Sequence, residues 1–228
     1  MLEELLHWLG FGLCHQLPER SFFGGGVQVP VCARDTGIYL GFAVSLLVIA
    51  VVSRGRRPQE TPRLWLVLVG LVFLGSMALD GVSSYAGFRE TTNGIRLITG
   101  ILAGYSLTLA FAPILNGQLW RRPGPERVLG RGSEAIVWLV TVPLLFVLVS
   151  GVLPVLGVVY PVLVAAGILF TFSAVNLAIV CLLPPFENRY DRLRQAWLPI
   201  VLSLCLTAAE LWVTGSARAV LERMAGLA

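Results

Sequence analysis

Three residues near the start of the chain carry side chains that could bind a metal ion. Cys14 and His15 are adjacent, and Cys32 follows them at a distance of eighteen residues. Zinc accepts two thiolates and an imidazole in a tetrahedral site, and Asp35 or Asp80 could supply a fourth ligand. Cys14 and Cys32 could instead form a disulfide, as cysteines do in oxidising compartments, or remain two unpaired thiols. The spacing leaves these three alternatives open.

A second set of polar residues lies near the ends of apolar segments. We expect Asp80 and Arg96 to form a salt bridge; the more specific alternative makes Asp80 a general base, with Arg96 and Arg34 binding an anionic group such as phosphate. Glu210 lies within the last apolar segment, where an unpaired carboxylate is costly, so it should reach Arg96 or Arg34, or else take up a proton or extend outward to the membrane interface. Asn93 is a structural or proton-linked candidate at the same end.

These residues belong to a chain with the composition of a membrane protein. Of its 228 residues 56% are hydrophobic and only 13% are charged, and the mean hydropathy is +0.80. Soluble proteins average about 25% charged residues. The basic residues are all arginines and are spread through short loops rather than collected in a patch with aromatic partners, which argues against a nucleic-acid partner.

Six apolar segments approach the length of about 20 residues that a helix needs to cross a bilayer. They are Thr36–Ser53, Leu64–Leu79, Ile95–Leu115, Ala135–Leu156, Val159–Leu183 and Ala196–Thr214. The fold class predicted is therefore all-α, a polytopic bundle of about six transmembrane helices forming one domain over residues 1–228. The bundle itself is predicted at 36–217 and a C-terminal tail at 218–228.

The first 35 residues are predicted to form a small outer cap. Leu2, Leu5, Leu6 and Leu9 fall on one face of a helix, which indicates a short amphipathic helix lying at the membrane interface. The cap proper follows it and holds both cysteines.

The distribution of arginines predicts how the bundle is oriented. Eleven of the seventeen arginines fall in the loops after the first, third and fifth segments. Cytoplasmic loops carry the excess of arginine in membrane proteins. We therefore expect a multi-pass protein of the plasma membrane with both termini, the cap and the candidate site residues on the outer side.

Small residues suggest which spans pack together. Gly100 and Gly104 have a four-residue spacing in the third segment, and Gly37 and Gly41 have the same spacing in the first. Such spacing allows two helices to approach closely. The hypothesis is that these two segments cross at their glycines.

Three motifs carry a resemblance to a known family. They are Cys-His-Gln-x-Pro-x-Arg-Ser-Phe from Cys14, Cys-Ala-Arg-x-Thr-Gly-Ile-Tyr-x-Gly from Cys32, and Asp80-Gly followed by Asn-x-x-Arg-x-x-Thr-Gly from Asn93. From Cys14 to Gly104 the chain resembles uncharacterised prokaryotic membrane proteins, the domain of unknown function family 2085. The resemblance implies cysteine in many relatives at the position of Asp35, so an all-sulfur site of four ligands is not expected here. It implies no activity.

The sequence favours a metal-binding membrane protein over two other classes. The metal would be zinc, and zinc-bound water would attack a lipid or lipid-linked substrate at the outer leaflet. One alternative is a small-solute or ion transporter or channel whose cap is held by a Cys14–Cys32 disulfide. Its path would be lined by Asn116, Thr171, Ser173, Asn176 and Glu210. The other is a scaffold without chemistry. Membrane lipids are the expected surroundings, and no oligomeric state is predicted.

Overall fold

The computed structural model describes residues 1–226, which are mostly helical. Their seven α-helices are α1 Leu2–Phe11, α2 Ala33–Val52, α3 Leu64–Tyr85, α4 Asn93–Leu119, α5 Gly132–Val147, α6 Val159–Cys181 and α7 Trp197–Met224. Short strands form two small sheets, with β1 Phe23–Gly24 antiparallel to β2 Val27–Gln28 and β3 Pro58–Glu60 parallel to β4 Gly124–Arg127.

Helices α2, α3, α4, α6 and α7 are long and apolar enough to cross a membrane, and so is α5 together with the π-helical and 3-10 turns that continue it to Leu156. This confirms the predicted all-α bundle of six spans. Four helices, α2, α3, α4 and α7, are longer than the apolar segments that predicted them; α3 continues past Leu79 to Tyr85 and α7 continues past Thr214 to Met224. Backbone hydrogen bonds hold a helix together whether or not its side chains are apolar. Asp80 therefore lies inside α3, and residues 218–224 of the predicted tail are helical.

Helices α2 and α4 cross so closely that only glycine fits at the contact. A Cβ atom added to Gly100 would lie 2.0 Å from the carbonyl oxygen of Arg34 and 3.2 Å from the Cα of Gly37. A Cβ atom added to Gly104 would lie 3.0 Å from the carbonyl carbon of Gly41. The predicted glycine contact between the first and third spans is confirmed, and it fixes the position of the first turn of α2.

A buried chain of hydrogen bonds joins α5 to this pair. The indole N–H of Trp138 donates to Ser45 Oγ at 2.7 Å, and Ser45 shares a hydrogen bond with Thr108. The hydroxyl of Tyr105 donates to Thr141 Oγ1 at 2.8 Å. Side chains from three spans thus satisfy each other, as polar groups inside a membrane must.

The cap is fastened by one glutamine. Gln16 Nε2 donates to the carbonyl oxygens of His7 at 2.8 Å and Pro30 at 2.7 Å, and Gln28 Nε2 donates to the carbonyl oxygen of Gln16 at 2.8 Å. Helix α1 packs against α6 and α7. The short helix predicted at the N-terminus is present, and the glutamine holds it to the segment that carries both cysteines.

Candidate metal centre and anion pocket

Three potential metal ligands meet between the cap and the start of α2. Cys14 lies in the turn after α1, Cys32 immediately precedes α2, and Asp35 lies in its first turn. Their two sulfur atoms and one carboxylate oxygen lie within 4.8 Å of one another. The Cys32 backbone N–H donates to Cys14 Sγ at 3.3 Å, and the Cys32 thiol donates to Asp35 Oδ2 at 3.3 Å. The structure therefore brings together three of the four predicted ligands.

The two cysteines are free thiols, each of them half-buried. The structure therefore does not contain the disulfide that was an alternative for this pair. The Cys32 thiol lies between Asp35 and Cys14 and has one proton; when that proton is directed to Cys14 rather than Asp35, it lowers the pKa of Cys14, although burial and the charge of Asp35 act in the opposite direction. The same interaction, with burial and Asp35, raises the pKa of Cys32 far above its ordinary value. The pair thus favours one thiolate, the form that binds metals and attacks electrophiles.

His15, the fourth predicted ligand, lies outside this cluster. Its side chain is exposed, whereas the adjacent Gln16 is buried. Gln16 has a left-handed backbone conformation with φ of 54°, so the chain turns sharply after Cys14. Adjacency in sequence therefore does not bring the imidazole to the thiols.

Asp80 is the centre of a buried ion cluster beside the thiols. Its side chain is 1% exposed and accepts hydrogen bonds from Arg34 and, at 2.7 Å, from Arg89. The predicted Asp80–Arg96 salt bridge is wrong, because the carboxylate is paired with these two other arginines. A carboxylate held by two guanidinium groups is a poor general base, so Asp80 fits the role of anchoring Arg34 better than a catalytic role.

Arg96 is the buried cation of this region that lacks a partner. It lies in the first turn of α4 and is 8% exposed, and no hydrogen bond or ion pair within residues 1–226 involves its guanidinium group. Its charged neighbours include Arg20 and Arg34, with Cys32 and Asp80 as nearby acidic groups. A guanidinium fork without a protein partner suits carboxylate or phosphate. Arg96 and its surroundings are therefore a candidate anion pocket.

Asn93 holds the cap against α4. Its Nδ2 donates to the carbonyl oxygens of Glu19 at 3.2 Å and Ser21 at 3.4 Å. These bonds pin the short helical turn that contains Arg20 to the helix that contains Arg96. They support a structural role for Asn93, which indirectly shapes the anion pocket.

Glu210 does not reach the arginines of the cap. It is exposed on α7 and accepts a hydrogen bond from Asn176 Nδ2 at 2.8 Å. The prediction that it pairs with Arg96 or Arg34 is therefore wrong. The cause is the packing of α7, which lies along α6 rather than beside the start of α2.

The last span reaches the cluster through a different residue. Arg218 Nη1 donates to the carbonyl oxygens of Cys14 and, at 2.6 Å, of Phe11, while its Nε donates to Glu222 Oε1 at 2.7 Å. The guanidinium also lies over the Phe11 ring. Arg218 was overlooked because it falls in the predicted tail; the signal for it was the Arg218/Glu222 pair at helical spacing.

Comparisons with known proteins place these features in a family context. Residues 14–110 match the family model described as "Predicted membrane protein (DUF2085)". An uncharacterised protein of Methanocaldococcus jannaschii is 34% identical over 110 residues, which is 48% of this chain and 68% of the relative. An uncharacterised protein of Methanothermobacter thermautotrophicus is 38% identical over 97 residues, covering 42% of this chain and 82% of the relative. No solved structure matches. The matched family region holds Cys14, Cys32, Asp35, Asp80 and Arg96.

Proposed function

Because this chain belongs to the DUF2085 family of predicted membrane proteins, and the family match covers the cap after α1, the first two spans and most of the third, we propose that the cap is a metal centre. It binds a thiophilic divalent cation, zinc by preference, with Cys14, Cys32 and Asp35. Beside it, Arg96 and Arg34 bind the anionic group of a lipid or lipid-linked substrate.

The observation that carries this proposal is the convergence of three ligand atoms within 4.8 Å. They come from two segments that are separated in sequence. Hydrogen bonds of Gln16 and Arg218 hold the segment that contains Cys14, and the α2–α4 glycine contact holds the segment that contains Cys32 and Asp35. Two sulfurs and one carboxylate oxygen are donors that zinc accepts. Three protein ligands leave a fourth position open, which is typical of catalytic rather than structural zinc.

The chemistry that suits such a site is hydrolysis of an ester. Water would add its oxygen to the phosphorus or carbonyl carbon, the bond to the leaving alcohol would break, and the alkoxide would take up the proton that water lost. Bound zinc lowers the pKa of water to about 7. Arg96 and Arg34 would neutralise the charge on the substrate, and Asp80 would hold Arg34 in place.

The topology of the bundle supports a location of the proposed site on the outer side of the membrane. The cap and the candidate ligands lie at the end of the bundle opposite the arginine-rich loops, which the distribution of charge assigns to the cytoplasm. The site would then face the outside of a prokaryotic plasma membrane at the level of the lipid head groups. Both chain termini would lie on the same side, and the substrate would reach the site from the outer leaflet.

Cobalt titration tests the proposal in two steps. Metal-free protein in detergent should develop thiolate-to-cobalt absorption with one Co²⁺ per chain, and Cys14→Ala and Cys32→Ala should abolish it. Cys205→Ala is the matched control, since Cys205 is exposed on α7 far from the cluster. Inorganic phosphate should then perturb the spectrum, with affinity about tenfold weaker in Arg96→Gln. An unchanged cobalt spectrum in Cys14→Ala would contradict the metal centre, and unchanged phosphate affinity would contradict the anion pocket.

One observation favours a second function, proton-linked transport. Between α6 and α7, Thr207 Oγ1 accepts from Asn176 Nδ2 at 3.1 Å and lies 3.3 Å from Ser173 Oγ, and Asn176 also donates to Glu210. A carboxylate in such a seam is typical of proton relays. Proton flux into vesicles that is lost in Glu210→Gln would favour transport. Equal proton flux in the wild type and in Glu210→Gln would indicate that these groups only form hydrogen bonds between the two helices.

A further inference from the structure

A second candidate site lies at the arginine-rich end of the bundle, far from the cap. Helices α2, α4, α6 and α7 surround a cavity of about 640 Å³ there. This volume is in the range of about 300–1,000 Å³ that is usual for small-molecule sites. The walls are mostly leucine, isoleucine, alanine and phenylalanine side chains.

The cavity exists because α7 packs along α6 and leaves a gap toward α2 and α4. Leu47 of α2 and Leu204 of α7 line it, and both are more than half exposed, at 55% and 51%. The wall is therefore open on the side of the bundle that meets lipid. Small residues, among them Ala50 and Ala174, keep the interior wide.

Two polar side chains of the cavity, Arg57 and Ser53, lie at the end near the arginine-rich loops. The guanidinium of Arg57 lies 3.9 Å from the centroid of the Trp120 ring and donates one hydrogen bond, to the carbonyl oxygen of Asp191. A guanidinium has five N–H donors, so most of those of Arg57 have no acceptor among residues 1–226. Ser53 Oγ, also at this end, is buried and has no hydrogen-bond partner in the described part of the chain. The site thus has an apolar body and a cationic mouth.

We infer that this cavity binds one acyl chain of an anionic membrane lipid, whose charged head group contacts Arg57. An apolar cavity of this kind excludes water, and an unfilled void loses the dispersion contacts of its whole lining. A lipid chain supplies those contacts, because the cavity opens onto the bilayer. The positive charge at the mouth selects an anionic head group over a zwitterionic one. This inference is independent of the metal centre.

Native mass spectrometry of the full chain tests the inference. Protein released from mixed micelles of phosphatidylglycerol and phosphatidylcholine with identical acyl chains should retain one phosphatidylglycerol per chain. Ala174→Phe and Ala50→Phe, which fill the cavity from two different walls, should each lower this occupancy about tenfold. Ala208→Phe is the matched control, since Ala208 is exposed on α7 and does not line the cavity.

The charge at the mouth is tested separately. Arg57→Gln should remove the preference for phosphatidylglycerol over phosphatidylcholine while a lipid stays bound. Arg54→Gln, an exposed neighbour outside the cavity, should keep the preference. Equal occupancy in Ala174→Phe, Ala50→Phe and Ala208→Phe would overturn the site. A wild-type protein without preference for the anionic lipid would overturn the role of Arg57. A dimer without bound lipid would overturn the lipid site and show that a second copy of the chain covers the opening of the cavity.

Discussion

The two halves of the bundle are built in different ways. In the first half α2 and α4 touch backbone to backbone through glycines, and buried ions lie at the cap end of this contact. In the second half α7 lies along α6, its carboxylate Glu210 is exposed, and a large cavity remains beside it. The family match also covers the first half. Placing ligand atoms within a few ångströms requires a rigid frame, and the first half is the part that supplies one.

The largest expected difference in stability is between two glycine-to-alanine substitutions, one at the close α2–α4 contact and one away from it. In Gly100→Ala the new Cβ would lie 2.0 Å from the carbonyl oxygen of Arg34, so α2 and α4 must separate. We expect a loss of at least about 3 kcal/mol in the free energy of unfolding. Gly75→Ala, at a helical glycine of α3 whose added Cβ would lie within 4 Å of no described atom beyond the adjacent backbone of its own helix, should be neutral or stabilising by up to about 1 kcal/mol. Thermal unfolding in detergent measures both, and equal melting temperatures would contradict the rigid first half.

The next largest difference in stability is expected between substitutions of two carboxylates in the spans, Asp80 and Glu210. Asp80→Asn removes the negative charge that Arg34 and Arg89 share and should cost about 3 kcal/mol. Glu210→Gln keeps an acceptor for Asn176 at an exposed position and should change stability by less than about 0.5 kcal/mol. The same unfolding assay compares them. A Glu210 variant as unstable as the Asp80 variant would show that the second half also depends on a buried charge.

The reactivity of the cap thiols should depend on pH in a defined direction. Because the Cys32 thiol donor lowers the pKa of Cys14, metal-free Cys14 should stay a thiolate at pH values where an ordinary cysteine is protonated. Its alkylation rate should therefore fall only at lower pH. In Cys32→Ala the donor is absent, and the midpoint of the rate profile should move to higher pH. Residue-resolved mass spectrometry of the alkylated protein measures this, and an unmoved midpoint would contradict the coupling.

The smallest expected effect is at His15. Its side chain is exposed and outside the ligand cluster, so His15→Ala should keep the metal content and the melting temperature of the wild type. Metal analysis of the variant decides the point. Loss of metal would mean that the imidazole moves to the thiols when the ion binds.

Sequence patterns predicted the features that can be recognised from the residue types and spacing within each segment. Apolar length predicted the six spans, and glycine spacing predicted the α2–α4 contact. They did not predict which side chains from different segments pair. Asp80 pairs with Arg34 and Arg89 rather than Arg96, and Arg218 rather than Glu210 joins the last span to the cap. These choices depend on the rotation and tilt of each helix, which packing against neighbours decides.

Metal binding by Cys14, Cys32 and Asp35 is the basis of the proposed function. Elemental mass spectrometry of the purified full chain, after incubation with one equivalent of zinc and removal of excess, tests it most directly. We predict close to one zinc per chain in the wild type and in Cys205→Ala, and close to none in Cys14→Ala and Cys32→Ala. Zinc absent from the wild type, or retained undiminished by Cys14→Ala, would contradict the claim.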